Sequence, residues 1–324
     1  MGASRTRRQL LAEQVRSGVV ETSHQGAVAV VGVDGSLQAA FGDIDRPFFI
    51  RSSAKPFQAT VSQEAGADLS PLELAIACAS HRGFPAHVAL VSSVLTGAGL
   101  DESALLCPFD WPLAPEAQRI VVRAGTREPK RIWHNCSGKH AGFLRACVAQ
   151  GWPIETYLAP DHPLQQRVIA FVSEVGEYDV QPVGVDGCGA PVLRTTVKAM
   201  ALMFSRLAAE SRLAGAFESM HRYPSLVGAN GAGDTEIAIA IHAAAKGGAA
   251  GCVGVAVDGR FGIAVKSWDG LGSVANIAAV SALGQIGVLT PTAAAALDPI
   301  VRPPVLGGEE RVGSFESRLR LEAR

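Results

Sequence analysis

Charge is scarce in this chain and has no dominant sign. The 29 Lys and Arg against 30 Asp and Glu leave a formal net charge of −1, and charged residues make up only 18%. A surface without a basic stripe gives no footprint for nucleic acid or for an anionic membrane. A long apolar run is missing as well: "AIAIHAAA" is too short to span a bilayer and carries His242. The basic start "MGASRTRRQLLAEQVRSG" has no apolar segment behind it, so no secretory leader is read there. Its "MGASRT" formally fits an acylation pattern, but the arginines suffice to make it a solvated arm. No internal repeat and no linker-like shift of composition divides the chain. These absences leave a cytoplasmic protein that binds no nucleic acid or membrane and takes a small neutral or zwitterionic ligand. With 48% hydrophobic residues, it should fold around a well-buried core.

The six cysteines form no disulfide framework in a reducing compartment. Most sit in apolar company, as in "AIACAS", but Cys136 and Cys188 stand among glycine and polar residues. Two apolar pairs with Asp-Gly turns, "GAVAVVGVDGSLQAAFG" and "GCVGVAVDGRFGIAVKSWDG", predict a β-hairpin near each end. Helical patterns fill the interior, over roughly 85–98, 138–150, 162–175, 191–211, 232–246 and from about 273, and "SPLELAIACAS" opens with a Ser70 cap and Pro71. Strands at both ends with helices between imply an α+β fold: one antiparallel sheet from the terminal hairpins, with a helical region beside it. We expect a basic arm over 1–20, one catalytic domain over 21–305 and a polar tail over 306–324.

In "RSSAKPFQA", Ser52 and Lys55 fall one helical turn apart, with Pro56 fixing the helix start. A serine hydroxyl becomes a nucleophile when a base takes its proton, and a neutral lysine amine can do so. Arg51 is a candidate for lowering that lysine's pKa or for binding a substrate carboxylate. The same four-residue spacing also arises from a serine cap followed by a solvated lysine. The S-x-x-K spacing resembles the nucleophile motif of β-lactamases and penicillin-binding proteins, whose fold also carries a lysine on a terminal strand. Lys266 in "GIAVKSWDG" occupies such a place. "WHNCSGKHAGF" brings Asn135, Cys136, Lys139 and His140 together, and "VGVDGCGAPV" holds Asp186 and Cys188. Residue types alone leave a metal site, a reactive thiol and small structural cysteines all open.

Taken together, "SHQGAVAVV", "RSSAKPFQA", "CASH", "NCSGKHAGFL", "PDHPLQ", "DGCGAP" and "GIAVKSWDG" resemble, in order and spacing, the rhizobial-type L-asparaginases of the asparaginase II family. The resemblance implies a fold like that of serine β-lactamases and penicillin-binding proteins, a homodimer, and hydrolysis of L-asparagine to aspartate and ammonia. It also implies zinc held by Cys136, Lys139 and Cys188. Two serine–lysine pairs follow from it, Ser52 with Lys55 and Ser80 with Lys266, and which serine attacks stays open. Arg51, His81, Asn135, His140 and Asp186 would bind or orient the substrate, although a turn-forming aspartate and a satisfied core histidine are equally consistent with Asp186 and His140. Two segments depart from the family pattern: "SHRGF", with Arg82 and Phe84, and "CPFDWP", which lacks a glycine and a histidine. They bear on which amide is accepted more than on the chemistry.

Overall fold

Alternation along the apolar strands decides which side of the sheet each residue meets. In the computed structural model, which describes residues 9–324, the strands of the large sheet are β1 (Leu10–Arg16), β2 (Val19–Gly32), β3 (Leu37–Phe41), β4 (Ala243–Gly248), β5 (Cys252–Val257), β6 (Phe261–Ser267), β7 (Pro304–Gly307), β8 (Glu310–Ser317) and β9 (Glu322–Ala323). They form one antiparallel sheet in the order β7-β8-β1-β2-β6-β5-β4, with β3 pairing both β2 and β9. Val28, Val30, Val253, Val255, Ile263 and Val265 join one core with Val274, Ile277 and Ala278 of the helix Gly272–Gln285. Gly254 and Gly262 face the other way, where a β-carbon would run into Phe204 and Ala201 of the helix Val197–Leu207. Lys246, Cys252 and Lys266 share the parity of these two glycines, so that face carries polar groups at one end.

The chain divides into two compact units. One holds the sheet, with residues up to Ser53, Thr195–Ala209 and Gly231–Arg324. The other is Ala54–Arg194 with Glu210–Asn230. It is mainly helical, including Lys55–Ser62, Pro71–Ala77, Pro85–Thr96, Ser137–Gln150 and Pro163–Gly176. Ser70 caps the second of these by accepting from the Glu73 N–H, with Glu73 returning the bond. Among the described residues, no helix is long and apolar enough to cross a membrane.

Three expectations are corrected. Within the arm expected over 1–20, residues 1–8 lie outside the described residues, but Leu10–Arg16 is a sheet strand paired with β2 and β8. The tail expected over 306–324 supplies β8 and β9. Both stretches read as polar because their strands are largely half-exposed, β1 burying only Leu11 and Ala12 and β8 no residue fully. The helix expected over 232–246 ends at Ala240, and Ala243–Gly248 pairs with β5 as a strand. An alanine run carries no period of its own, so sheet pairing decides its conformation.

Candidate active site

The residues singled out in the sequence fall into two groups, one in each unit. In the sheet unit, Arg51 and Ser52 open a turn of 3-10 helix over Arg51–Ala54, and Ser52 is half-buried. Lys266, 7% exposed, lies opposite Ala27 and Cys252 in the sheet register. Its ammonium group donates to the carbonyls of Ala250 and Ser267 and lies over the rings of Phe48 and Trp268. Burial pulls its pKa below the ordinary lysine value, against the opposing pull of Cys252 and Asp269.

In the helical unit, Lys55 is the first residue of its helix and is 1% exposed. Its Nζ donates to the Ala79 carbonyl at 2.7 Å and to Ser80 Oγ at 3.0 Å. The serine hydrogen-bonded to this lysine is therefore Ser80, whereas motif spacing pairs Lys55 with Ser52. His81 beside it is fully buried. Its Nδ1 accepts from the Gly83 N–H, so Nε2 carries the proton and donates to Ser137 Oγ at 2.8 Å, which passes its own hydrogen to the Ile132 carbonyl. Burial, then His87 and Lys55, hold this imidazole neutral well below the ordinary histidine range.

Cys136, Lys139 and Cys188 converge although 52 residues separate the two thiols in the chain. Cys136 and Lys139 sit at the start of the helix Ser137–Gln150, whose Gly138 packs so closely on the Pro71–Ala77 helix that a β-carbon would lie 2.2 Å from the Ile76 carbonyl oxygen. Cys188 is carried at the tip of a short hairpin, Gly184–Val185 against Pro191–Val192, closed by Asp186 N–H to the Ala190 carbonyl and Gly189 N–H to the Asp186 carbonyl. The Asp186 side chain caps the Gly187 N–H. Lys139 Nζ stands 3.1 Å from Cys188 Sγ. A hydrogen bond from Cys188, with Lys55 and Lys139 nearby, drives the Cys136 thiol well below its ordinary pKa despite burial. Lys139 is held above its ordinary value because the two sulfurs outweigh its burial. The unit thus stores a thiolate–ammonium cluster, with the Lys55 amine adjoining both it and Ser80.

Asn135 Oδ1 lies 3.2 Å from Cys136 Sγ, and the Asn135 backbone carbonyl accepts from the His81 N–H. His140 is fully buried and bonded through Nδ1 to the Tyr157 hydroxyl at 2.7 Å. Its Nε2 faces Cys188 without a hydrogen bond of ordinary geometry. Burial and Lys139 lower its pKa to about 4. Tyr157, whose oxygen also takes the Leu106 N–H, has no motif to announce it. His134, whose Nδ1 accepts the Cys136 N–H, stands inside the "WHNCSGKH" stretch and could have been read from it.

Two thiols and an amine are a donor set suited to zinc. A tetrahedral zinc holds a sulfur and a nitrogen ligand roughly 3.5 Å apart, close to the separation of Cys188 and Lys139. Among the described residues no group of three or more His, Cys, Asp or Glu side chains is arranged for a metal, so such a site depends on the lysine.

The two segments that depart from the family pattern meet within this unit. The Ala114 N–H donates to the Arg82 carbonyl, and Gly83, at φ +79°, leaves no room for a β-carbon against Pro112. Trp111 stacks on Trp133 with ring centres 5.8 Å apart.

A half-buried serine hydrogen-bonded to a buried lysine thus stands beside an acidified thiol on an α+β scaffold. The chain belongs to the L-asparaginase II family, which it matches over residues 12–317. The antiparallel sheet built from both ends of the chain, with a second, mainly helical unit, is the α+β arrangement that the terminal hairpins implied. No curated protein matches the sequence. Among solved structures, the native form of Mglu is 16% identical with a TM-score of 0.45, covering 82% of this chain and 65% of that one. The chain thus spans less than two thirds of that protein's length. A probable glutaminase, ybaS, is 14% identical with a TM-score of 0.46 over 81% of this chain and 85% of its own. A Bacillus glutaminase is 12% identical with a TM-score of 0.39 over 82% and 92%.

Proposed function

We propose that the protein hydrolyses the side-chain amide of L-asparagine to L-aspartate and ammonia by serine–lysine chemistry. The observation that carries this reading is the buried Lys55 amine held at hydrogen-bond distance from Ser80 Oγ. Ser52, in the S-x-x-K position, supplies the attacking oxygen. Its proton goes to Lys55, the Oγ–carbonyl bond forms, and collapse of the tetrahedral intermediate expels the amide nitrogen as ammonia, with Ser80 and Lys55 returning a proton to it. Water then cleaves the acyl-serine ester, regenerating the hydroxyl and releasing aspartate. Arg51 meets the substrate carboxylate, and Asn135 is a donor for the oxyanion. Lys266, depressed by burial, serves as a second base. Attack by Ser80 with Lys55 as its base is a second reading, favoured by their hydrogen bond.

Cys136, Lys139 and Cys188 would hold zinc, with His140 and Asp186 beside them. Bound zinc would supply a positive charge that orients and polarises the amide. The family likeness also supports a homodimer.

Ammonia release from L-asparagine, L-glutamine and β-aspartyl amides by the wild type, Ser52→Ala and Ser80→Ala tests the proposal. Asparagine turnover lost in Ser52→Ala supports it. Turnover confined to another amide sinks the asparagine assignment and directs attention to Arg82, Phe84 and the 107–112 segment. Loss in Ser80→Ala alone selects the second reading.

A further inference from the structure

Arg51 has φ of +52°, a left-handed backbone that a residue with a β-carbon keeps only when its surroundings impose it. The surroundings are visible within the sheet unit. The Ser53 N–H donates to the Ile50 carbonyl at 3.3 Å, and the Ser53 hydroxyl, fully buried, donates to the Lys246 carbonyl at 2.9 Å. Cys252 Sγ donates to the same Ile50 carbonyl at 3.4 Å and lies 3.7 Å from Ser53 Oγ. Burial keeps Cys252 a thiol, hence a donor. Gly248 closes the cluster: a β-carbon there would stand 2.5 Å from Cys252 Sγ, 2.8 Å from the Ile50 oxygen and 2.9 Å from Ser53 Oγ. Both residues flanking the Arg51–Ser52 pair are therefore fastened to the β4–β5 hairpin, while Ser52 itself stays half-buried.

We propose that Ser53, Cys252 and Gly248 are positioning residues, which lock the Ile50–Ser53 turn in its left-handed form and so aim the Ser52 hydroxyl at the substrate. The inference rests on Ser52 being the nucleophile. A polar cluster that merely filled the core would set stability alone. A cluster that aims a nucleophile sets the rate of attack, because small misplacements of a reacting atom are costly.

The test measures kcat, KM and thermal midpoint for Ser53→Ala, Gly248→Ala, Cys252→Val and Cys252→Ser, with Ser52→Ala as reference, on the amide that the wild type hydrolyses fastest. Ser53→Ala and Gly248→Ala should lower kcat by about tenfold or more at near-constant KM. Cys252→Ser, which keeps a donor for the Ile50 carbonyl, should retain kcat within about threefold, whereas Cys252→Val should not. If Ser53→Ala does not fold, the two Cys252 variants decide. An inactive Ser52→Ala beside Ser53→Ala and Gly248→Ala at wild-type kcat would overturn the positioning role and leave the nucleophile intact. Wild-type turnover in Ser52→Ala would remove the nucleophile assignment and this inference with it.

Discussion

His24 and Asp269, 245 residues apart in the chain, share a hydrogen bond of 2.5 Å between Nδ1 and Oδ2. The other Asp269 oxygen takes the Ser267 hydroxyl at 2.5 Å and the Leu271 N–H at 3.1 Å. One carboxylate thus ties His24 of "SHQG" on β2 to the turn of "KSWDG" that follows Lys266.

Replacing Asp269 by Asn should weaken this junction by about 1–3 kcal/mol, read as a drop in the midpoint of chemical unfolding. Asp269 also raises the pKa of Lys266 against the lowering by burial. Its removal should therefore shift the acid limb of the pH–rate profile to lower pH, by less than about one unit, if Lys266 works as the neutral amine. An unmoved limb would take Lys266 out of the base role.

Lys55→Met should lower kcat/KM by about 10²–10⁴-fold, the usual contribution of a general acid–base group. It should also weaken the acidity of Cys136, since Lys55 helps to stabilise that thiolate. Thiolate absorption at short ultraviolet wavelength, followed against pH in the metal-free variant, reports this second effect independently of turnover.

Acid should destabilise the protein through His81. Its imidazole is buried neutral, with a folded pKa well below the ordinary 6.5. Below that value the unfolded chain binds a proton that the folded protein refuses, so stability falls as pH drops from there towards the folded pKa. His81→Gln should lower stability near neutrality by about 1–3 kcal/mol through the lost partners of Gly83 and Ser137, and it should flatten the acid slope. Unfolding free energy from denaturant melts between neutral and mildly acid pH checks both.

Chelation or Cys188→Ser should remove zinc and lower the thermal midpoint. If the metal binds at the Cys136–Lys139–Cys188 cluster, free zinc at a hundred times its dissociation constant contributes about 2.7 kcal/mol. Affinity should fall with pH, because thiols and amine must all lose protons to bind. A metal content near one per chain in the wild type, unchanged in Cys188→Ser, would move the site elsewhere.

Much of this architecture could be read from the residues. Asp-Gly turns marked two hairpins, Ser70 and Pro71 marked a helix start, and the family resemblance carried by "NCSGKH" and "DGCGAP" implied that these segments converge on one cluster. What could not be read arises from contacts distant in sequence. The hydrogen bond that ties Lys55 to Ser80 needs a fold to bring the two together. Tyr157 owes its place beside His140 to packing alone. Half-exposed strands such as Glu310–Ser317 lack the alternation that identifies a strand, so they looked like a tail.

The central strand β2 has a consequence for synthesis of the chain. Its 14 residues are bonded to β1 and β3 nearby but also to β6, and β1 in turn to β8 near residue 310. Residues Ala54–Arg194, most of the helical unit, leave the ribosome before either late partner exists. During that interval β2 presents an open, apolar edge, the kind of surface on which nascent chains associate. The sheet closes late, and the helical segment has the first opportunity to fold.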